Sequence, residues 1–180
     1  MERSTRGTES GRRRGRGAAS KDAIAMLKAD HKQVTNWFEQ FKKARQADRK
    51  SKLAEQICQA LKVHTTIEEE IFYPAFLAAT GDADKHHEAE VEHAGAKKLI
   101  AEIEGMNPSD EYYDAKVKVL SEMIKHHVKE EERPGGMFSE ARRSDMDLDH
   151  VGMRLKARKN ELEAQGGNGR LSAATKRLNA

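Results

Sequence analysis

Histidine and glutamate stand four residues apart twice in this chain, in His64-Thr65-Thr66-Ile67-Glu68 and in His127-Val128-Lys129-Glu130-Glu131. On an α-helix that spacing puts an imidazole and a carboxylate on one face, one turn apart. Around the first motif Leu53, Ile57, Leu61, Ile71 and Ala75 fall on or beside the same stripe. That stripe is apolar and should face a core, so His64 and Glu68 point inward. A buried carboxylate is costly unless it is paired or binds a metal. A solvated face with a stray histidine would explain one such motif alone, but the repeat near the far end of the periodic region argues against it.

These motifs need helices to hold them. Apolar periodicity predicts a first helix over about 21–46, with Ser20 or Asp22 as N-cap and an inward stripe of Ile24, Leu27, His31, Val34, Phe38 and Phe41. Trp37 flanks that stripe, and Asp30 faces elsewhere. A second helix covers about 48–79, with Pro74 kinking or loosening its last turns. A third covers about 84–106 with the stripe Ala89, His93, Ala96, Ile100 and Ile103. A fourth covers about 110–133, capped by Ser109 or Asp110. Its stripe is Tyr113, Val117, Leu120, Ile124, His127 and Glu131. A rival register with Val119, Met123, His126 and Glu130 is interrupted by Lys116, so His127 and Glu131 are preferred. Residues 137–145 read as irregular, and a shorter helix follows over about 146–165, packing through Leu148, Val151, Leu155 and Leu162. Gly166-Gly167-Asn168-Gly169 reads as its stop. No stretch alternates at period two, so the fold class expected is all-α, an antiparallel up-down-up-down four-helix bundle with a short extra C-terminal helix.

Composition agrees with that class. Of 180 residues 35% are charged and only 5% aromatic, and the net charge is +3. The charge is unevenly spread: residues 1–20 hold six Arg against two Glu, and 166–180 hold Arg170, Lys176 and Arg177 with no acid. The basic character therefore belongs to the two ends, read as a disordered Arg-rich tail over 1–20 and a flexible basic tail over 166–180. The domain between them spans 21–165. The Arg run could touch nucleic acid, but a solvated tail is the preferred reading. No apolar run is long enough to span a bilayer. A single Cys58 rules out an internal disulfide framework and fits a cytoplasmic location.

Up-down alternation brings His31, His64, His93 and His127 to similar levels of the bundle, since each lies a matching distance from the corresponding helix end at 1.5 Å rise per residue. Four histidines and two carboxylates then converge in one core. One core histidine is ordinarily a structural residue; four at one height call for a metal. Imidazole and carboxylate without thiolate exclude a cysteine-type zinc site and suit iron or manganese. Six protein ligands suit two ions, with Glu68 and Glu131 placed to bridge them.

At these residues the chain resembles the hemerythrin-like family, the HHE cation-binding domain. The resemblance covers about 21–163. It rests on Asp30-His31-Lys32-Gln33-Val34, His64-x-x-x-Glu68-Glu69-x-x-x-Tyr73-Pro74, Glu92-His93 and His126-His127-Val128-Lys129-Glu130-Glu131-Glu132. It implies two non-haem iron ions, oxo- or hydroxo-bridged, held by His31, His64, Glu68, His93, His127 and Glu131. It also implies a small diatomic or peroxide ligand. One departure stands out. Oxygen-carrying members place two histidines one turn apart on the third helix, whereas the positions four away from His93 are Ala89 and Lys97. A water, Glu90 or His86 is left to fill that place. Sensing, iron handling or peroxide and nitric oxide chemistry are then expected rather than oxygen carriage.

Two other readings compete. Ferritin-like oxidation needs a Glu-x-x-His on each of two helices, and only Glu90-x-x-His93 fits. A metal-free helical interaction protein with a nucleic-acid-binding Arg tail would make the core histidines replaceable.

Overall fold

Asp22 opens the first helix: its Oδ1 accepts the Ala25 N–H at 2.7 Å, capping α1, Ala23–Lys43. The computed structural model describes residues 22–178, with side chains as far as Gly166. The tail expected over 1–20 lies outside the described residues. After α1 come α2 (Ala47–Ile67), a π-helical turn (Glu68–Phe72), α3 (Tyr73–Thr80), α4 (Ala83–Glu104), α5 (Tyr113–Glu132), α6 (Met137–Ala141) and α7 (Leu148–Leu178). Among the described residues there is no strand. Helix α1 packs on α2, α2 on α4, α4 on α5 and α5 on α1, closing a ring of four around one interior.

The interior has three layers. One apolar cluster joins Val34, Phe38, Ile57, Leu61, Ile100, Leu120 and Ile124 among others. A second joins Ile24, Leu27, Ile67, Phe72, Phe76 and Leu155. His31, His64 and His93 each lie along their helices between members of the two clusters, as His31 does between Leu27 and Val34, and His127 follows Ile124 at the edge of the first cluster. The polar residues thus form a layer with hydrocarbon above and below. The inward stripes of α1, α4 and α5 are buried residue for residue as their periodicity predicts.

The second helix departs from expectation. It is not one α-helix to residue 79 but changes to a π turn at Glu68, where the Tyr73 N–H bonds to the Glu68 carbonyl. Pro74 explains why a change is tolerated here, since it has no N–H to give the preceding turn. The turn rotates everything after it. Residues five apart stand about 140° apart on an α-helix, yet here Glu68 and Tyr73 are both buried. Phe72, Tyr73 and Phe76 take the inward face, and Ala75, expected near it, is only partly covered.

Three smaller expectations also change. Helix α5 begins at Tyr113 without a side-chain cap. Asp110 is occupied in the preceding turn, where its Oδ2 accepts the Asn107 N–H at 2.8 Å. Residues 137–145 include the short helix α6, whose Met137, Phe138 and Ala141 are buried. Five residues are too few for a periodic signal. Helix α7 does not stop at Gly166 but runs to Leu178. Glycine weakens a helix by about 1 kcal/mol, yet unlike proline it keeps its backbone donor. Val151 and Leu155 bury α7 against the rest.

Gly136 joins α5 to α6 at very close quarters. A Cβ there would stand 2.2 Å from the Glu130 carbonyl oxygen and 2.8 Å from that of Glu131. Gly136→Ala should therefore cost about 1–3 kcal/mol, as overpacking does. Gly105→Ala, whose Cβ would find its nearest neighbours at 3.6 Å, should be within about 1 kcal/mol of neutral. Thermal unfolding of the two variants checks this, and equal effects would contradict it.

Candidate metal centre

All six sequence-predicted residues meet in the polar layer, and none is more than 5% exposed. His31 comes from α1 and His64 from α2. Glu68 is the first residue of the π turn, His93 comes from α4, and His127 and Glu131 come from α5. The Nε2 atoms face one another in two pairs: His31 and His64 are 2.9 Å apart, His93 and His127 3.2 Å. Each glutamate touches one histidine of each pair. Glu68 Oε2 is 3.2 Å from His64 Nε2 and 3.5 Å from His93 Nε2. Glu131 Oε2 is 3.4 Å from His31 Nε2 and 3.7 Å from His127 Nε2. The α5 register is the preferred one: His126 is 62% exposed, and Glu130 pairs with Arg133.

Behind the histidines stands a second ring, and sequence reasoning did not identify its role. Glu132 bonds His31 Nδ1 at 2.8 Å, Glu69 bonds His93 Nδ1 at 3.0 Å and Glu92 bonds His127 Nδ1 at 2.7 Å. Asp30, expected to face elsewhere, lies 3.7 Å from His64 Nδ1. Each carboxylate sits next in sequence to an inner residue but serves the histidine of a neighbouring helix. One step along a helix turns the side chain by about 100°, away from the interior and toward the adjoining helix. The readable signal was there, in Asp30-His31, Glu68-Glu69, Glu92-His93 and Glu131-Glu132.

Tyr73 is the other residue missed. It was visible only as part of a motif, because α-helical periodicity turns it off the inward face. Its hydroxyl donates toward Glu131 Oε1 at 3.2 Å and Glu68 Oε2 at 3.4 Å, and lies 3.1 Å from His93 Nε2. It is the hydroxyl that lies beside His93 Nε2. His86 and Glu90 do not reach that place; they lie 3.7 Å from each other, and the His86 ring is edge-on to Tyr73.

The electrostatics follow from this arrangement. Carboxylates bonded to the outer nitrogens of His31, His93 and His127 hold protons on Nδ1, which leaves their Nε2 lone pairs turned inward. Lone pairs facing each other at 2.9–3.2 Å, beside two buried glutamates, need positive charge between them. In the metal-free chain only protons can supply it. Burial alone would discharge His64, but Glu68 and Asp30 outweigh it and lift its pKa to about 10. Burial, then the charge of Glu68, pushes Glu131 well above the usual carboxylate range. Burial, then the two glutamates, raises Tyr73 well above its ordinary value and keeps it a phenol. Glu69, Glu92 and Glu132 are held low, first by their bonds to histidine.

The donors fit metal ions. Two nitrogens about 2.1 Å from one ion and at right angles stand about 3 Å apart, the separation of each histidine pair. His31, His64 and Glu68 form one set with a donor atom each within 4.8 Å of one another; Glu68, His93 and His127 form a second. Glu68 Oε1 and Glu131 Oε2 are buried with no hydrogen-bond partner among the described residues.

Comparison with known proteins agrees. The family described as Hemerythrin HHE cation binding domain matches residues 22–134. A solved structure of a hemerythrin HHE cation binding domain-containing protein from Mycobacterium kansasii superposes with a TM-score of 0.68 at 21% identity, covering 80% of this chain and 88% of that one. A DNA nickase from Nostoc sp. (strain PCC 7120 / SAG 25.82 / UTEX 2576) is 26% identical over 107 residues, 59% of this chain. This chain spans 30% of the nickase's length. Among the described residues no helix is long and apolar enough to cross a membrane.

Protonation should govern the stability of the metal-free chain. His64, raised from 6.5 to about 10, contributes stability that is complete below pH 6.5 and lost toward pH 10. Glu131, also raised, loses its contribution as pH climbs above 4.5. Glu68 is lowered, so its contribution is lost only as pH falls below 4.5. The melting temperature of chelator-treated protein is therefore expected to fall steadily above pH 6.5, and much less so once metal is bound. A flat or rising profile for the metal-free form would contradict this.

Proposed function

The chain belongs to the hemerythrin HHE cation-binding domain family, and we propose that its polar layer holds two non-haem iron ions that react with or sense a small oxidant such as O2, peroxide or NO. The observation that carries this reading is the pairing of inward Nε2 atoms, His31 with His64 and His93 with His127, each glutamate touching one histidine of each pair. In this reading His31 and His64 hold one ion, His93 and His127 the other, and Glu68 and Glu131 are shared. An oxo or hydroxo group would complete the bridge. A ligand set of imidazole and carboxylate without thiolate suits iron or manganese rather than cysteine-type zinc.

When bound, the iron pair supplies the electrons and the open coordination position that a small oxidant needs. The chain's own residues decide the outcome. The bonded outer carboxylates fix the ring orientations of His31, His93 and His127 and raise the donor strength of those nitrogens. Tyr73 keeps its proton and holds it against Glu68, Glu131 and His93. A phenol beside His93, which has no second histidine one turn away, gives the site a proton donor. It favours reduction of an oxidant over its return unchanged. The apolar clusters on either side keep the layer dry and admit small, uncharged molecules more readily than ions.

Metal analysis of protein expressed with iron tests the assignment. Wild type should carry about two irons per chain, and His127→Ala or Glu131→Ala should lose at least one. His126→Ala and Glu130→Ala should keep both irons, since neither side chain enters the layer and His126 touches only the outer carboxylate Glu92. Absence of iron, or loss in the second pair of variants instead of the first, would contradict the reading.

The oxidant chemistry has its own test. Reduced, iron-loaded protein mixed with air is expected to acquire the near-ultraviolet absorbance of ferric iron and to keep it under vacuum. Tyr73→Phe should slow that oxidation. A spectrum that returns to its starting state under vacuum would instead indicate oxygen carriage.

A further inference from the structure

Three of the four inner histidines have their outer nitrogen fixed by a bonded carboxylate, and each of those carboxylates has a further side-chain partner within the ring of four helices. Glu132 meets Lys28, Glu69 meets Lys97 and Glu92 meets His126. His64 is the exception. Its Nδ1 is buried without a hydrogen-bond partner among the described residues, because Asp30 Oδ2 stops 3.7 Å away. The other oxygen of Asp30 is taken by Lys159 Nζ at 2.5 Å. Lys159 belongs to α7, which lies beyond the residues 22–134 that match the family.

We propose that α7 is a working part of the metal centre: Lys159 holds the Asp30 carboxylate against His64 and so positions that imidazole. The geometry of α7 supports this. Val151 and Leu155 anchor it, against α1, α2 and the π turn. Lys159 follows Leu155 by one helical turn, on the anchored face. Packing alone does not fix Asp30. A cavity of about 230 Å³ opens beside it, lined among others by Gln33, Trp37, Val63 and Glu163. Without the Lys159 cation the carboxylate has room to turn into that space and leave His64 unsupported. With it, a shift of under 1 Å from the present 3.7 Å closes the fourth bond.

The role of Lys159 is therefore that of a positioning residue acting through Asp30. This rests on His64 facing a bound metal, and the test separates the two ideas. Full-length wild type, Lys159→Met, Lys159→Arg, Asp30→Asn and Arg158→Met are compared at one pH. Arg158 is the control, since its pair with Glu70 ties down the same helix at the next residue without touching the layer. In metal-free protein, ring signals of His64 in ¹⁵N–¹H spectra should move in Lys159→Met and Asp30→Asn, return in Lys159→Arg and stay in place in Arg158→Met. In iron-loaded protein, loss of iron to a chelator should speed up about tenfold in the same two variants, the low end for losing an outer partner of a ligand.

Wild-type behaviour of Lys159→Met in both measurements would overturn the proposal. So would an Arg158→Met variant that matches it, because the effect would then be docking of α7 alone. If the chain takes up no iron, the metal reading fails, and the His64 signals still decide whether Lys159 acts through Asp30.

Discussion

Four imidazoles with lone pairs turned inward, and two glutamates between them, occupy one buried layer. That crowding of negative and lone-pair character is the constraint on which the rest of the molecule depends. Replacing a buried ionic layer with hydrocarbon of the same volume is often neutral or stabilising, so stability alone would not select this arrangement. The apolar clusters above and below must carry the fold in spite of it. Binding of cations then adds stability, because only the folded chain gathers the donors.

The same constraint explains several details. The π turn brings Glu68 and Tyr73 to one face, so a carboxylate and a phenol enter the layer from one chain segment. Phe138 of α6 lies flat against His31, with ring planes 8° apart and centroids 5.7 Å apart. The close passage at Gly136 makes that contact reachable from the end of α5. The outer carboxylates form a cycle in which α1 serves α2, the π turn serves α4, α4 serves α5 and α5 serves α1. Each helix therefore carries an inner histidine and, on itself or on the turn that follows it, the support for a neighbour's histidine, and the four cannot shift independently. Helix α7 ties into this cycle at its one open bond.

Much of this was legible in the sequence because it depends on simple periodicity. Steps of three and four located His31, His93, His127 and Glu131 on stripes that are buried as expected. The interruption of the rival stripe by Lys116 settled the register of α5. What escaped depends on geometry that periodicity does not encode. Tyr73 was lost because a π turn intervenes, and the pattern of Pro74 alone announces a disturbance without its direction. Asp30, Glu69, Glu92 and Glu132 were lost because they serve histidines on other helices, and a single helix face shows only its own neighbours. Helix α6 was lost because five residues give no period. The end of α7 was misplaced because a glycine cluster resembles a stop, although glycine still donates its N–H.

The central claim is that the layer between His31, His64, His93 and His127 binds a pair of metal ions through two shared glutamates. Anomalous diffraction at the iron edge, from crystals of iron-loaded protein, tests it most directly. Two peaks are expected within the layer, one against His31 and His64 and one against His93 and His127, with Glu68 and Glu131 reaching both. A single peak, peaks at the surface, or an empty layer in iron-replete protein would contradict it.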